Sequence, residues 1–167
     1  RAPYLAEFNG DRALTIKAMI EKGKKGKRTP SEIHRELGNV MWEYVGMARS
    51  KQGLETAIEK IKQLQKDFEE NMLLNDDQGL SNALETAGRL RDFLELGATM
   101  ARDALQRTES CGGHFRVESQ DNGEAKRDDA NFAYAAAWEY KGKGAEPVMH
   151  KEQLIFENVH PSVRSYK

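Results

Sequence analysis

Three apolar stripes at helical spacing, separated by two short polar breaks, constrain the fold of this chain more than any other feature. The first stripe consists of Ile33, Leu37, Val40, Met41, Tyr44 and Val45. The second consists of Leu54, Ala57, Ile58, Ile61, Leu64, Phe68 and Met72, and the third of Ala83, Ala87, Leu90, Leu94, Gly97, Ala101 and Ala104. Each stripe predicts an amphipathic helix that buries one face against a neighbour.

Capping residues mark where two of these helices begin. Thr29 precedes the first stripe and is followed three positions later by Glu32, which is the pattern of a capping box. We therefore predict a helix from residue 30 to about residue 48. Asn82 and Glu85 have the same spacing before the third stripe and predict the start of another helix.

The two breaks decide how the helices are connected. SKQG at 50–53 and NDDQG at 75–79 have the composition of short loops. Three helices joined by such loops predict a mainly α fold, an antiparallel three-helix bundle of the spectrin type. A coiled-coil dimer is the competing interpretation of the same stripes, although its helices would have to continue through the breaks.

The sequence after residue 108 changes character. FAYAAAWEY at 132–140 and VMHKEQLIFENV at 148–159 flank a glycine-containing turn and predict a β-hairpin, although the alanines of the first run also suit a helix. We predict three regions. They are a short helix and basic linker at 1–28, the three-helix bundle at 29–108, and a turn motif, polar loop and hairpin tail packing on the bundle at 109–167.

Charge and composition exclude several classes of partner. With 26 basic and 27 acidic side chains, the chain has no net field that would attract nucleic acid or an anionic membrane. Its basic loop KGKKGKR contains no aromatic residue for base stacking and is interpreted as a solvated linker. The longest apolar run, 132–138, is too short to span a bilayer, so we predict a soluble chain with no direct membrane insertion.

The turn ESCGGHFR at 109–116 contains the only cysteine, Cys111, three positions before His114. Cys111 follows the end of a predicted helix, where the helix dipole disfavours a thiolate, so we do not interpret the pair as a hydrolase site. The four histidines are scattered and no second cysteine is present, which argues against a metal site. No glycine-rich phosphate loop occurs. We therefore predict no catalytic, metal-binding or cofactor-binding residue in this chain.

The segment 90–129, with LRDFLELGATMARDALQRTESCGGHFR and then KRDD, resembles the C-terminal domain of the succinate dehydrogenase and fumarate reductase flavoprotein subunit. In that family a long helix leads to an E-S-R-G-x-H-x-R turn, followed by an R-D-D signature and an aromatic strand. The matching residues are Glu109, Ser110, Gly112, His114 and Arg116 in the turn, and Arg127, Asp128 and Asp129 in the signature. Cys111 replaces the arginine of the family turn, which leaves the role of that arginine unassigned.

The resemblance covers nearly the whole chain and implies a fragment of a larger oxidoreductase. In the family, the flavin-binding domain, the dicarboxylate-binding domain and the proton-donating arginine all precede this segment. The full-length subunit would interconvert succinate and fumarate through FAD and would act in the tricarboxylic acid cycle and in electron transport. The fragment itself is expected to be inactive and to contain no cofactor.

The resemblance also implies partners. These are the chain's own upstream flavin-binding domain, an iron–sulfur subunit and, indirectly, a membrane-anchor subunit. They place the parent protein at the cytoplasmic, inner face of the cell membrane. The eight matching residues of the turn and signature are expected to be interface residues. The sequence does not determine the physiological direction of the reaction, the quinone type or the oligomeric state of the fragment.

Two further interpretations stay open. The first is a free-standing helical adaptor whose apolar stripe receives a helix of another protein. The second is the equivalent domain of L-aspartate oxidase, which shares the turn. An upstream reading frame with a dinucleotide-binding strand and GxGxxG would favour a flavoprotein over the adaptor.

Overall fold

Helices account for most of the residues that a computed structural model of the chain describes, which are 14–74, 82–142 and 144–162. The helices are α1 (14–23), α2 (Pro30–Val45), α3 (Lys51–Glu70), α4 (Asn82–Gln106) and the short α5 (Asp129–Phe132). The strands are β1 (Ala48–Arg49), β2 (Phe115–Arg116), β3 (Gln120–Asp121), β4 (Glu124–Ala125), β5 (Tyr134–Glu139) and β6 (Val148–Gln153). The predicted mainly α class with a C-terminal hairpin is confirmed.

The helix boundaries follow the local sequence signals only in part, since SKQG at 50–53 is predicted as a loop but α3 begins at Lys51 and Ser50 caps it through the N–H of Gly53. The backbone N–H of Thr29 donates to Oε2 of Glu32 at 2.7 Å, and the N–H of Glu32 donates to Oγ1 of Thr29 at 3.3 Å, so the capping box is present. These bonds from Thr29 lower the pKa of Glu32. α2 ends at Val45, before the predicted residue 48, because the following residues leave the helix and form β1. The predicted loop at 75–79 lies outside the described residues.

The chain forms two compact units, and each of the three long helices contributes residues to both. The first unit comprises Arg1–Val40 and Glu59–Gly97, and the second comprises Met41–Ile58 and Ala98–Lys167. The site described below lies entirely within the second unit. None of the helices in the described ranges has both the length and the apolar content needed to cross a bilayer.

The first unit contains the larger part of the apolar core predicted from the stripes, and the second unit contains the rest, including Val45, Leu54 and Ala101. The buried apolar residues of the first unit are Ile33, Leu37, Val40, Ile61, Leu64, Phe68, Met72, Leu74, Leu84, Ala87, Leu90 and Leu94. Arg28, just before α2, bonds to Asp67 near the end of α3 at 2.6 Å, so these two helices run in opposite directions. His34 of α2 stacks on Phe93 of α4 with ring centroids 5.4 Å apart. One chain therefore brings all three stripes together, as the bundle requires.

Gly26 lies where two backbone segments of the first unit approach each other closely. A Cβ atom at this position would lie 1.9 Å from the carbonyl oxygen of Met72, whereas a Cβ at Gly38 in α2 would meet nothing within 4 Å. We expect Gly26→Ala to lower the free energy of unfolding by about 1–3 kcal/mol, because the added methyl group would force the backbone at Met72 to move.

The matched substitution Gly38→Ala is expected to raise the free energy of unfolding by about 0.5–1 kcal/mol, since alanine favours a helix interior. Urea denaturation followed by circular dichroism measures both changes. Equal stability of the two variants would contradict the close approach at Gly26.

The second unit contains three small sheets of two strands each. β1 pairs with β2 in parallel, and β3 pairs with β4 around a turn in which Asn122 and Gly123 have φ values of 51° and 84°. The sequence predicted a polar loop here, and the structure instead places a second hairpin and α5 within it. The Asn-Gly dipeptide is a signal for such a turn, because both of its residues tolerate positive φ.

The C-terminal hairpin pairs β5 with β6 in antiparallel register, from Tyr134 opposite Gln153 to Glu139 opposite Val148. The predicted hairpin is thus confirmed, although its second strand ends at Gln153 rather than near residue 159. The indole Nε1 of Trp138 donates to Oδ1 of Asp103 at 2.9 Å, which attaches the hairpin to α4.

Candidate functional site

The turn ESCGGHFR follows α4 and closes on itself through backbone hydrogen bonds. The N–H of Cys111 donates to the carbonyl oxygen of His114 at 2.8 Å, and the reverse bond measures 3.0 Å. Gly112 between them has φ of 58°, a conformation that glycine adopts without steric cost. Glycine at this position therefore lets the chain reverse over four residues.

Ser110 is buried and closes the base of the turn. Its Oγ accepts a hydrogen bond from the N–H of Arg116 at 2.8 Å and donates to the carbonyl oxygen of the same residue at 3.2 Å. Its backbone N–H donates to the carbonyl oxygen of Lys126 at 2.9 Å. The Ser110 hydroxyl thus joins the two arms of the turn, and its backbone N–H joins the turn to the residue after β4.

Arg116 binds the C-terminal end of α4. The residue is 3% exposed, and its Nη1 lies 3.1, 3.3 and 3.4 Å from the carbonyl oxygens of Ala104, Leu105 and Arg107. The last carbonyls of a helix have no partner within the helix, and a cation there also complements the helix dipole. Arg116 is therefore a capping residue whose charge is satisfied inside the protein.

Glu118 joins Arg116 to the beginning of α3. Its Oε2 accepts from Nε of Arg116 at 3.2 Å, and its Oε1 accepts from the backbone N–H of Lys51 at 2.7 Å. Partial burial opposes ionisation, but the hydrogen bonds from Lys51 and Arg116 lower the pKa of Glu118 on balance. A carboxylate at a helix N-terminus is favourable, so Glu118 stabilises the start of α3.

Arg49 binds the end of α2 and reaches the turn. Its Nε donates to the carbonyl oxygens of Val45 at 3.1 Å and Gly46 at 2.9 Å, and its Nη1 lies 2.7 Å from Nδ1 of His114. Burial lowers the pKa of Arg49. Arg49 thus connects the C-terminus of one long helix to the turn that follows another.

His114 has both ring nitrogens engaged. Arginine has only donors, so Nδ1 must accept from Arg49, and Nε2 carries the proton that it donates to the carbonyl oxygen of Arg107, 2.8 Å away. Burial lowers the pKa of His114, and the positive charges of Arg49, Arg116 and Arg107 lower it further. In this arrangement neither nitrogen is free to accept a proton from Cys111.

A second set of contacts surrounds Glu109, which is buried. Its Oε1 accepts from Nη1 of Arg107 at 2.7 Å, and its Oε2 accepts from the backbone N–H of Asp128 at 2.8 Å. The Arg107 guanidinium also donates to the carbonyl oxygens of Phe132 and Tyr134, both at 3.0 Å, and lies over both rings. Glu109 therefore joins the turn to the RDD signature, and Arg107 joins it to β5.

The RDD signature forms its own local contacts. Asp128 caps α5, since its Oδ1 accepts from the N–H of Asn131 at 3.3 Å. Arg127 pairs through Nε with Oδ1 of Asp129 at 2.9 Å and donates from Nη1 to the carbonyl oxygen of Ser162. The bond to Asp129 raises the pKa of Arg127. These three side chains order the segment between the turn and the hairpin.

The structure brings together residues that the sequence motif identified and others that it did not. Five of the eight predicted interface residues belong to the turn, and Asp128 is joined to them through Glu109. The participants that the motif did not identify are Arg49, Arg107 and Glu118. Basic residues just after a helical pattern are a known C-terminal signal, which would have identified Arg49 and Arg107.

The described residues offer little for binding a metal or a phosphate. They contain no group of three or more His, Cys, Asp or Glu placed to hold an ion. A phosphate-binding loop needs free N–H groups where a strand leads into a helix. In the described segments β1 leads into α3 and β4 into α5, and a carboxylate already occupies each helix start, from Glu118 and Asp128 respectively. An anionic ligand would be repelled at both.

Comparison with known sequences gives a consistent assignment. Residues 34–166 match the family described as fumarate reductase flavoprotein C-term. The fumarate reductase flavoprotein subunit of Haemophilus influenzae is 25% identical over 86% of this chain, which covers 23% of that protein. The succinate dehydrogenase flavoprotein subunit of Coxiella burnetii is 29% identical over 62% of this chain and 17% of its own length. The chain thus spans less than a quarter of these relatives.

Solved structures share the fold. The E. coli quinol fumarate reductase FrdA superposes with a TM-score of 0.80 at 24% identity, covering 98% of this chain and 27% of that one. Adenylylsulfate reductase from Archaeoglobus fulgidus superposes with a TM-score of 0.65 at 18% identity, covering 77% of this chain and 20% of that one. Enzymes with different names therefore contain this fold, and the fold alone does not select a substrate.

Proposed function

The chain belongs to the fumarate reductase flavoprotein C-terminal family, and from this premise we propose that it is the C-terminal helical domain of a fumarate reductase or succinate dehydrogenase flavoprotein subunit. The observation that carries the proposal is the family match over residues 34–166, which includes the turn and the RDD signature. The parent subunit interconverts succinate and fumarate through FAD and passes electrons to an iron–sulfur subunit.

Within that parent, this chain is a structural and interface module. Glu109, Ser110 and Arg116 are buried and bonded to the ends of helices or to the turn itself, so their contribution to an interface is to hold its shape. Gly112 and the rest of the turn tip are exposed and are available to a partner. The eight motif residues thus divide into those that position the surface and those that form it.

Large exposed apolar side chains in the second unit support the proposal that another domain covers part of its surface. Trp42 is 86% exposed and Met47 is 84% exposed, which is unusual for such large side chains. Trp138 and Phe132, in contrast, are engaged by Asp103 and Arg107. The apolar tail residues that are also exposed are Leu154, Ile155, Phe156 and Val159. In our proposal these exposed residues pack against the parent's own flavin-binding domain.

We propose that this chain does not bind FAD, and the helix starts in its described residues support the proposal. The pyrophosphate of FAD needs free helix N–H groups, and Glu118 and Asp128 occupy those at the two strand-to-helix connections. We therefore derive no chemical step from this chain and assign flavin binding to the upstream part of the parent protein. In our proposal, the parent binds an iron–sulfur subunit, which in turn binds a membrane-anchor subunit. The parent therefore lies at the inner face of the cell membrane.

A direct test expresses this chain alone and joined to its upstream reading frame. Flavin absorbance is measured for both proteins, together with three activities: reduction of fumarate by a reduced dye, reduction of adenylylsulfate by the same dye, and oxidation of L-aspartate by an oxidised dye. We expect flavin and fumarate reduction in the longer protein only. Activity of the longer protein on adenylylsulfate or L-aspartate alone would overturn the proposed substrate. A complete short protein without a flavin domain upstream would instead support the adaptor.

A further inference from the structure

His114 differs from the other histidines of the chain in its surroundings. His34, His150 and His160 are exposed, whereas His114 is partly buried and bonded through both ring nitrogens. Its two partners lie at the ends of different helices, since Arg49 binds the end of α2 and Arg107 follows α4. A change in the protonation of one imidazole would therefore affect the connection between these two helix ends.

The hydrogen-bond geometry is compatible only with the neutral imidazole. The Arg49 guanidinium cannot accept a hydrogen bond, so Nδ1 must offer a lone pair to it across 2.7 Å. A proton on Nδ1 would place two donors and two positive charges against each other. The bond from Nε2 to the carbonyl oxygen of Arg107 favours the protonated ring, but burial together with the three positive charges outweighs it, and the pKa of His114 is lowered on balance.

The charged groups that act most directly on His114 are arginines, and they oppose its protonation. Arg49 of β1, Arg116 of β2 and Arg107 after α4 act on it with positive charge. The carboxylates of the surrounding elements form hydrogen bonds to groups other than His114. Glu118 is bonded to Arg116 and Lys51, Glu109 is bonded to Arg107 and Asp128, and Asp103 accepts from Trp138.

We propose that the Arg49–His114 hydrogen bond is a pH-sensitive contact that closes the turn at residues 111–114 while His114 is neutral and opens it when Nδ1 is protonated. Opening frees the Arg49 side chain from the turn and separates the end of α2 from the segment after α4. The proton comes from solvent and returns to it, and no covalent bond changes. The proposal concerns this chain alone and does not depend on the proposed function.

The direction of the pH effect follows from linkage. Because the pKa of His114 is lower in the folded chain than its ordinary value of about 6.5, the unfolded or open state binds more protons. The contribution of the neutral ring is complete above about pH 6.5 and is lost as the pH falls toward the folded pKa. The pKa values of Asp67 and Glu118 are also lowered, but these carboxyl groups affect stability only in a more acidic range. The effect of His114 on stability can therefore be measured separately from theirs.

Nitrogen-15 NMR of the 167-residue chain tests the proposal. At about pH 7.5 we expect His114 in the Nε2–H form. When the pH is lowered from about 7.5 to about 5.5, the rate of amide hydrogen exchange, corrected for its intrinsic pH dependence, should increase about three- to tenfold at Cys111, His114 and Val117. Their N–H groups make the bonds that the open turn loses. Amides in the middle of α3 serve as the internal reference.

Three variants isolate the contact. His114→Gln keeps a donor for the Arg107 carbonyl and cannot be protonated. In this variant, the corrected rate of amide hydrogen exchange in the turn should no longer depend on pH. Arg49→Met removes the opposing charge and should raise the titration midpoint of His114 in the folded chain. His150→Gln, in the exposed hairpin, should behave like the unmodified chain. An Nδ1–H tautomer in the folded chain, or a midpoint unmoved by Arg49→Met, would overturn the proposal even if His114→Gln fails to fold.

Discussion

Replacing Arg116 with methionine is expected to lower the free energy of unfolding by about 3–5 kcal/mol, because it leaves buried polar groups without their charged partner. Methionine retains much of the aliphatic stem but loses every donor. The carbonyl oxygens of Ala104, Leu105 and Arg107 would then lose a charged partner at the end of α4. Urea denaturation of the intact chain measures the change.

Arg89 provides the matched control, because it lies on α4, the helix whose end Arg116 binds, and pairs with Glu85 at 2.7 Å in an exposed i,i+4 arrangement. Arg89→Met should lower the free energy of unfolding by no more than about 0.5 kcal/mol. Arg116→Lys should recover only part of the loss, since one ammonium group cannot reproduce the directions of the guanidinium donors. Equal effects of the two Arg→Met substitutions would show that Arg116 does not cap the helix.

Leu94→Ala is expected to cost about 2–5 kcal/mol, because it removes a side chain that is 2% exposed from the core of the first unit. Leu96, two positions later on α4, is 56% exposed, and Leu96→Ala should change the free energy of unfolding by no more than about 0.5 kcal/mol. Both variants change the same atoms in the same helix. Their difference therefore reports burial alone.

The same pair of variants tests the coiled-coil interpretation. Most residues of the three stripes are buried within a single chain, so unfolding of the unmodified chain should not depend on protein concentration. Denaturation at two concentrations about a hundredfold apart measures this. A midpoint that rises with concentration, together with a large cost for Leu96→Ala, would indicate that a second copy covers the exposed side of α4.

The helical part of the fold was predictable because its signals are local. The residues of a stripe are three or four positions apart, and the capping box of Thr29 and Glu32 spans a single turn. Such patterns act before any tertiary contact forms. The Asn122-Gly123 turn was equally local and was missed only because the polar composition around it was interpreted as a loop.

The candidate site was predictable only as a set of residues. The motif identified His114 and Arg116, but their decisive partners lie far away along the chain, since Arg49 is 65 positions from His114. No periodicity or propensity indicates such a pair. The sequence therefore indicated that the turn matters without showing that its side chains bind the ends of helices.

The connection made by Glu118 has a consequence for the order of folding. Its carboxylate accepts a bond from Lys51, 67 positions away, whereas the capping box at Thr29 spans three. Contacts between distant residues must first overcome the entropy of closing a long loop, and they slow folding when they are numerous. We therefore expect the turn and the short parallel strands beside it to form late, after the helices whose ends they join.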